Sequence, residues 1–178
     1  FVTLFLTSLA AMAFLPPLWD RFVGAAGLLV SARQLRLDRA LGEFERATER
    51  TAALAEAEAA AAQAAESAWG AKALVIWEPG SLRGLDAPGT DGPLSALLSA
   101  RSDAFTGSSL KREVSSELQR ELAERGLEAG APVSRGGARV GWLLVGPPRE
   151  GFYDLASVRG LARLAAGVGR AASQAETA

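Results

Sequence analysis

The first nineteen residues, FVTLFLTSLAAMAFLPPLW, contain no charged side chain, and Asp20 is the first one. A helix of that length measures about 28 Å, close to the roughly 30 Å hydrocarbon core of a bilayer. Trp19 stands at the end of the run, where interfacial aromatic residues are favoured. Four arginines follow, at Arg21, Arg33, Arg36 and Arg39. An excess of arginine is typical of the cytoplasmic side of a membrane segment. The pattern predicts a membrane segment with an interfacial piece over residues 1–30, in the inner (cytoplasmic) membrane, with the rest of the chain in the cytoplasm.

Residues 31–69 contain no proline and only one glycine, Gly42, and are rich in alanine, glutamate, arginine and leucine. These residues favour helices, so the segment predicts one connecting helix. Leu37, Leu41 and Phe44 begin a series at spacings of four and three, which is typical of a coiled-coil seam. After Ala55 the seam consists mostly of alanine. A passive spacer and a helix that shifts against a partner are both compatible with this composition.

Residues 70–172 alternate between strand and helix patterns, and a tail follows over 173–178. We predict a strand at 72–77, a helix at 93–101, a brief strand at 103–106 and a helix from Ser108 or Ser109 to Gly126. Gly136 and Gly137 indicate a hairpin between strands at 131–135 and 139–145. A last helix is predicted from 153 to 172, with its apolar stripe at Leu155, Val158, Leu161, Ala165 and Val168. This order favours an α+β fold, with an antiparallel sheet flanked by the first and last helices.

Histidine and cysteine are both absent from the chain. Their absence excludes thiolate nucleophiles, Ser-His-Asp triads, disulfides and the usual zinc ligand sets. The serines at 108, 109, 115 and 116 have no evident general base, so we expect them to act as helix caps or surface residues. A net charge of −1 offers no electrostatic basis for nucleic-acid binding. The composition therefore points away from an enzyme and predicts no cofactor or metal.

Several runs together resemble a GAF domain, the small sensory module of bacterial signalling proteins. They are ALVIWEP, PLSALLSARSDAFTGSSL, RGLEAGAPVSRGGARVGWLLVGPP and GFYDLASVRGLARLAAGVGRAAS, which lie between residues 73 and 173. The preceding stretch, PLWDRFVGAAG and LRLDRALGEFERATE, is similar to the segment between the last membrane helix and the GAF domain of membrane-bound sensor histidine kinases. The resemblance implies a GAF-like domain over residues 70–172.

The same resemblance implies a non-catalytic regulatory function in a two-component system. The histidine-bearing helix and ATP-binding domain of such kinases are not in this segment, and neither are the Cys or His that attach bilins. The motif of cyclic-nucleotide-binding members is missing as well, because the chain has no asparagine. We therefore expect a signal to pass through paired helices in a homodimer, with a small-molecule ligand possible but unidentified.

Two sets of residues are the candidates for these functions. Trp77, Phe105 and Trp142 lie on or beside predicted strands and are the candidates for lining a ligand pocket, with plain core packing as the alternative. Arg135 and Arg139 flank the hairpin turn, where we expect solvent-exposed side chains. The candidates for helix pairing are Leu37, Leu41, Phe44, Leu161 and Val168.

A structural subunit is the alternative function. An apolar helix that begins with Phe1 and leads into an α+β head resembles a type IV pilin, although most pilins have glutamate at the fifth position and this chain has Phe5. A pilin also requires secretion, which the arginine bias opposes. A membrane-anchored scaffold of an envelope complex is the other structural possibility.

Overall fold

The computed structural model describes residues 32–49, 53–78, 93–110 and 115–175. Two compact units divide the chain after Arg36, and the architecture below belongs to the second, which begins at Leu37. The membrane segment predicted at residues 1–30 lies outside the described residues, as does Phe5, on which the pilin alternative depends. Within the part described, no helix is both long and apolar enough to cross a bilayer.

Six helices and four strands make up the described residues. Helix α1 occupies residues 32–49. It is followed by α2 (Leu54–Trp69), β1 (Ala73–Trp77), α3 (Pro93–Ala100), β2 (Phe105–Thr106), α4 (Gly107–Leu110), α5 (Ser116–Glu124), β3 (Ala129–Arg135), β4 (Ala138–Val145) and α6 (Leu155–Ala175). The strands form one antiparallel sheet in the order β1-β4-β3-β2. The predicted α+β class with an antiparallel sheet and flanking helices is confirmed.

The hairpin between β3 and β4 forms where the two adjacent glycines predict it. Gly136 and Gly137 have φ values of +57° and +86°, in the left-handed region where a residue without Cβ is favoured. A β-bulge follows at once, because Val133 pairs with Gly141 and Ser134 pairs with Arg139, which leaves Val140 as the extra residue on β4.

The prediction of one continuous helix over residues 31–69 is wrong. Ala53 has extended backbone angles, φ −86° and ψ 121°, so the helical residues are divided between α1 and α2. The two helices lie side by side, since Ala40 and Ala47 of α1 and Ala60 and Ser67 of α2 border one small cleft. The break lets α1 pack on α6 while α2 packs on both α6 and β1.

The helix predicted from Ser108 or Ser109 to Gly126 is also divided. Ser115 is extended, with φ −64° and ψ 155°, and its hydroxyl accepts from the Leu118 N–H at 3.4 Å. It is therefore the N-cap of α5, one of the roles expected for these serines. Gly126 follows the helix end with φ +62°, as predicted for a glycine in that position.

Two apolar clusters cover the two faces of the sheet. The first contains residues of α1, α2 and α6 together with Val133, Leu143 and Val145. The second contains Leu94, Leu98, Phe105, Leu110, Leu118, Leu122, Trp142 and Leu144. The sheet thus separates a layer of three long helices from a layer of shorter ones.

Candidate functional site

A cavity of about 250 Å³ lies between α3 and the sheet, on the face covered by the shorter helices. Its apolar walls are formed by Ile76, Leu98 and Trp142. Its polar lining comes from Ser95, Ser99, Glu78 and Arg139. Polar and apolar side chains contribute about equally to its lining, and its volume is below that of most drug-sized pockets.

Trp142 is the central residue of this cavity. Its side chain is only 1% exposed, and its ring lies 5.7 Å from that of Phe105 between centroids. The indole Nε1–H is buried and has no hydrogen-bond partner among the described residues. A buried donor without an acceptor costs about 1–3 kcal/mol, so this N–H is a place where a bound acceptor would gain free energy.

Arg139 forms the polar wall of the cavity and is not the solvent-exposed turn residue that we expected. Its Nε donates to Glu78 Oε1, and its terminal nitrogens donate to the carbonyl oxygens of Arg101 and, at 3.3 Å, Ser99. The guanidinium carbon lies 5.8 Å from the centroid of the Trp142 ring. The cause is the β-bulge at Val140, which reverses the alternation of β4 and turns Arg139 toward the same face as Trp142.

Helix α3 covers the cavity and is held at both ends. At its start, the Leu94 N–H donates to Glu121 Oε2 of α5 at 2.8 Å, where a carboxylate also stabilises the helix dipole. At its end, the Arg139 guanidinium donates hydrogen bonds to the carbonyl oxygens of Ser99 and Arg101, where a helix leaves its last carbonyl groups without partners. These contacts fix α3 over the sheet and so define the cavity.

Two of the three predicted pocket residues, Trp77 and Trp142, line this cavity, but they belong to different apolar clusters. Trp142 lines the cavity, and Phe105 packs behind it in the same apolar cluster. Trp77 borders the cavity too, but it belongs to the cluster on the opposite face, where its Nε1–H donates to Glu58 Oε1 at 2.6 Å. Adjacent register explains the difference, because Ile76 and not Trp77 pairs with Trp142. Arg139 and Glu78 were missed as site residues, and only the bulge would have indicated them.

A larger cavity of about 440 Å³ lies beside α5. Leu110, Leu122, Ala123 and Leu127 give it a largely apolar lining, and Glu128 contributes the charged group. None of the buried, unpartnered polar atoms found among the described residues belongs to it. The cavity under α3 therefore has the more specific chemistry.

The five predicted helix-pairing residues, Leu37, Leu41, Phe44, Leu161 and Val168, are all buried in the first cluster of this one chain. Leu37 packs on Gly160, and seven residues later Phe44 packs on Gly167, so α1 and α6 run parallel. Arg163 of α6 also pairs with Glu45 of α1 at 2.7 Å. These residues thus join α1 to α6 within the chain.

The described residues include no group of three or more Asp, Glu, His or Cys side chains suited to a metal ion. No family model matches the chain, and no curated protein matches it. Among solved structures, the chain is similar to the native GAF domain of the potassium sensor histidine kinase KdpD from Escherichia coli. The identity is 16% and the TM-score 0.48, over 78% of this chain and 94% of that one.

Proposed function

We propose that the chain is a non-catalytic, GAF-like sensory module of a membrane-bound signalling protein, and that it responds to a small molecule held between α3 and the sheet. The observation that carries the proposal is the position of β4 between two layers. Trp142 lines the cavity, while the next residue, Leu143, and Val145 pack in the cluster that contains α6. A ligand that displaces Trp142 would therefore act on the strand that supports the long helices.

The contacts of the cavity specify the chemistry of this ligand. An indole N–H only donates, so the ligand must present a hydrogen-bond acceptor to Trp142. Arg139 is already paired with Glu78, so the polar wall carries no net charge to attract an anion. Leu98 and Ile76 require an apolar body. These features favour a small, uncharged, aromatic or aliphatic carbonyl compound.

Acetophenone and α-methylstyrene test this proposal, since C=CH2 replaces C=O in the same framework and only acetophenone has a strong hydrogen-bond acceptor. We expect acetophenone to bind the full chain about five-fold more tightly, as one net hydrogen bond of about 1 kcal/mol provides. The Trp142 indole signal in a ¹H–¹⁵N spectrum should shift, and the amides of α6 should exchange more slowly with solvent. Trp142→Phe should abolish the preference for acetophenone, and Trp69→Phe, in the cluster on the opposite face, is the control that should keep it. Equal binding of the two compounds, or binding without an effect on α6, would contradict the proposal.

We also propose that the module acts as a homodimer at the inner membrane, with its globular part in the cytoplasm and without a nucleic-acid partner. Because Leu41, Phe44 and Val168 are buried within the chain, the contact between copies would use the outward faces of α1 and α6. Arg39 and Glu43, an exposed pair at 3.1 Å, lie on the outward face of α1. Light scattering of the full chain in detergent should give the mass of two copies. A single copy at high micromolar concentration would exclude the dimer.

A further inference from the structure

The larger cavity, beside α5, has the size and the walls of a small-molecule site. Its volume of about 440 Å³ falls within the range of ligand pockets, roughly 300–1,000 Å³. Leu110, Leu122, Leu127 and Pro147 form its apolar walls, so an apolar group bound there would be removed from water. We refer to this space as the α5 cavity.

A single acidic side chain gives the α5 cavity its charge. Among the residues that line it, all of them described by the structure, Glu128 is the one that carries a charge. Glu128 is half-buried, and within the described part of the chain its carboxylate has no hydrogen-bond or ion-pair partner. The nearest arginine in the sequence, Arg125, pairs with Glu121 Oε1 at 2.9 Å. The carboxylate of Glu128 therefore faces the cavity without a counter-ion from the described residues.

The backbone and a neighbouring glycine hold Glu128 at the cavity wall. Its N–H donates to the Val145 carbonyl oxygen at 2.8 Å, and its own carbonyl oxygen accepts from the Gly107 N–H. Gly107 also lines the cavity, and a Cβ there would lie 3.1 Å from Cγ and 4.0 Å from Cδ of Glu128. The side chain of Glu128 thus lies over Gly107, where the absence of a side chain leaves room for it.

The end of α5 contributes negative potential of the same sign. Ala123, in the last turn of α5, and Gly126, just after it, both line the cavity. The carbonyl groups at a helix C-terminus carry a partial negative charge, which favours a nearby cation. The electrostatics of the α5 cavity are therefore complementary to a positive charge, while most of its walls are apolar.

We infer that the α5 cavity binds a small organic cation, a protonated amine on an apolar body. The ammonium group, which only donates, pairs with the carboxylate of Glu128, which only accepts, and the body packs on Leu110, Leu122 and Leu127. This site is additional to the one proposed under α3, where Arg139 already neutralises Glu78 and the ligand is uncharged. The inference goes beyond the proposed function and does not depend on it.

The compounds 2-phenylethylamine and 2-phenylethanol test the inference, because they share one carbon framework and only the amine is charged at neutral pH. Calorimetric titration of the full chain in detergent should show the amine binding about ten-fold more tightly, as a charge-assisted hydrogen bond at a half-buried site provides. Glu128→Gln should remove this preference. Glu124→Gln is the matched control that should keep it, since it removes the same charge from an exposed residue of α5 outside the cavity lining.

A second variant and a spectrum locate the bound amine. Ala123→Trp should fill the α5 cavity and abolish the binding of both compounds. In a ¹H–¹⁵N spectrum, the amine should shift the amide signals of Gly107 and Leu127 and leave the Trp142 indole signal unchanged. Equal affinity for the two compounds, no binding of either, or a preference that survives Glu128→Gln would overturn the inference. A shift of the Trp142 indole with unchanged Gly107 would also overturn it, by placing the amine under α3, and would leave the proposed function intact.

Discussion

The two faces of the sheet are packed by different kinds of residue. Toward α1, α2 and α6 the contacts are made by alanines and glycines, so that Ala61, Ala65 and Ala165 are fully buried and α6 receives Phe44 at Gly167. Toward α3 and α5 the contacts are made by leucines and aromatic rings, and both the cavity with Trp142 and the larger one beside α5 lie here. Small residues let the backbones of α6 and β3 approach closely, and the clefts on this side lie between α1 and its neighbouring helices. Bulky residues on short helices leave gaps beside the sheet. The first face is therefore suited to rigidity and the second to binding.

Removing a large side chain from each face should give the largest difference. Phe44→Ala should lower the free energy of unfolding by about 3–5 kcal/mol, because the buried ring packs directly on Gly167 and its removal leaves a cavity. Leu122→Ala, beside the existing cavity, should cost about 2–3 kcal/mol, since its surroundings can relax. Urea denaturation of both variants measures the two values. A loss at Leu122 as large as that at Phe44 would show that the second face is packed as tightly as the first.

Adding one methyl group to the first face should also lower the free energy of unfolding, but by less and through overpacking instead of a cavity. In Gly169→Ala the new Cβ would overlap the backbone carbonyl of Ser134, which has no rotamer to change. The overpacking cost of about 1–3 kcal/mol should exceed the gain of up to about 1 kcal/mol from helix propensity.

Gly42→Ala is the control for this change, because a Cβ at Gly42 meets nothing within 4 Å. It should raise the free energy of unfolding by about 0.5–1 kcal/mol, as alanine does in place of glycine within a helix. Thermal denaturation should therefore move in opposite directions for the two variants. Stabilisation by Gly169→Ala would mean that α6 and β3 are not in close contact.

The smallest expected effect concerns the cap of α5 on the second face. Ser115→Ala removes the acceptor of the Leu118 N–H and should cost about 1 kcal/mol. Ser116→Ala, one residue later and exposed within the helix, should be nearly neutral. Chemical denaturation compares the pair, and equal values for both would show that Ser115 does not cap α5.

Much of the secondary structure was predictable from local patterns. The two glycines at 136–137 and the β-branched or aliphatic runs around them predicted the hairpin, and the stripe that contains Leu161, Ala165 and Val168 predicted α6. These signals are local, because a turn needs particular φ values and a buried helix face needs a 3.6-residue period. The helix breaks were less accessible. Ala53 belongs to an alanine-rich stretch that favours a helix, yet its backbone is extended, so no local pattern predicts the break.

The sequence by itself determined the classes of chemistry that this chain lacks, the α+β composition of its fold and the apolar faces of its long helices. The tertiary structure decided which side chains meet. The bulge at Val140 turned Arg139 toward Trp142, and strand register separated Trp77 from Trp142, though both are tryptophans on neighbouring strands. Composition and periodicity act on residues close in the chain, whereas a register shift of one residue moves a side chain to the other face of a sheet. The candidate site depends on the register shift at Val140, because this shift places Arg139 on the same face as Trp142.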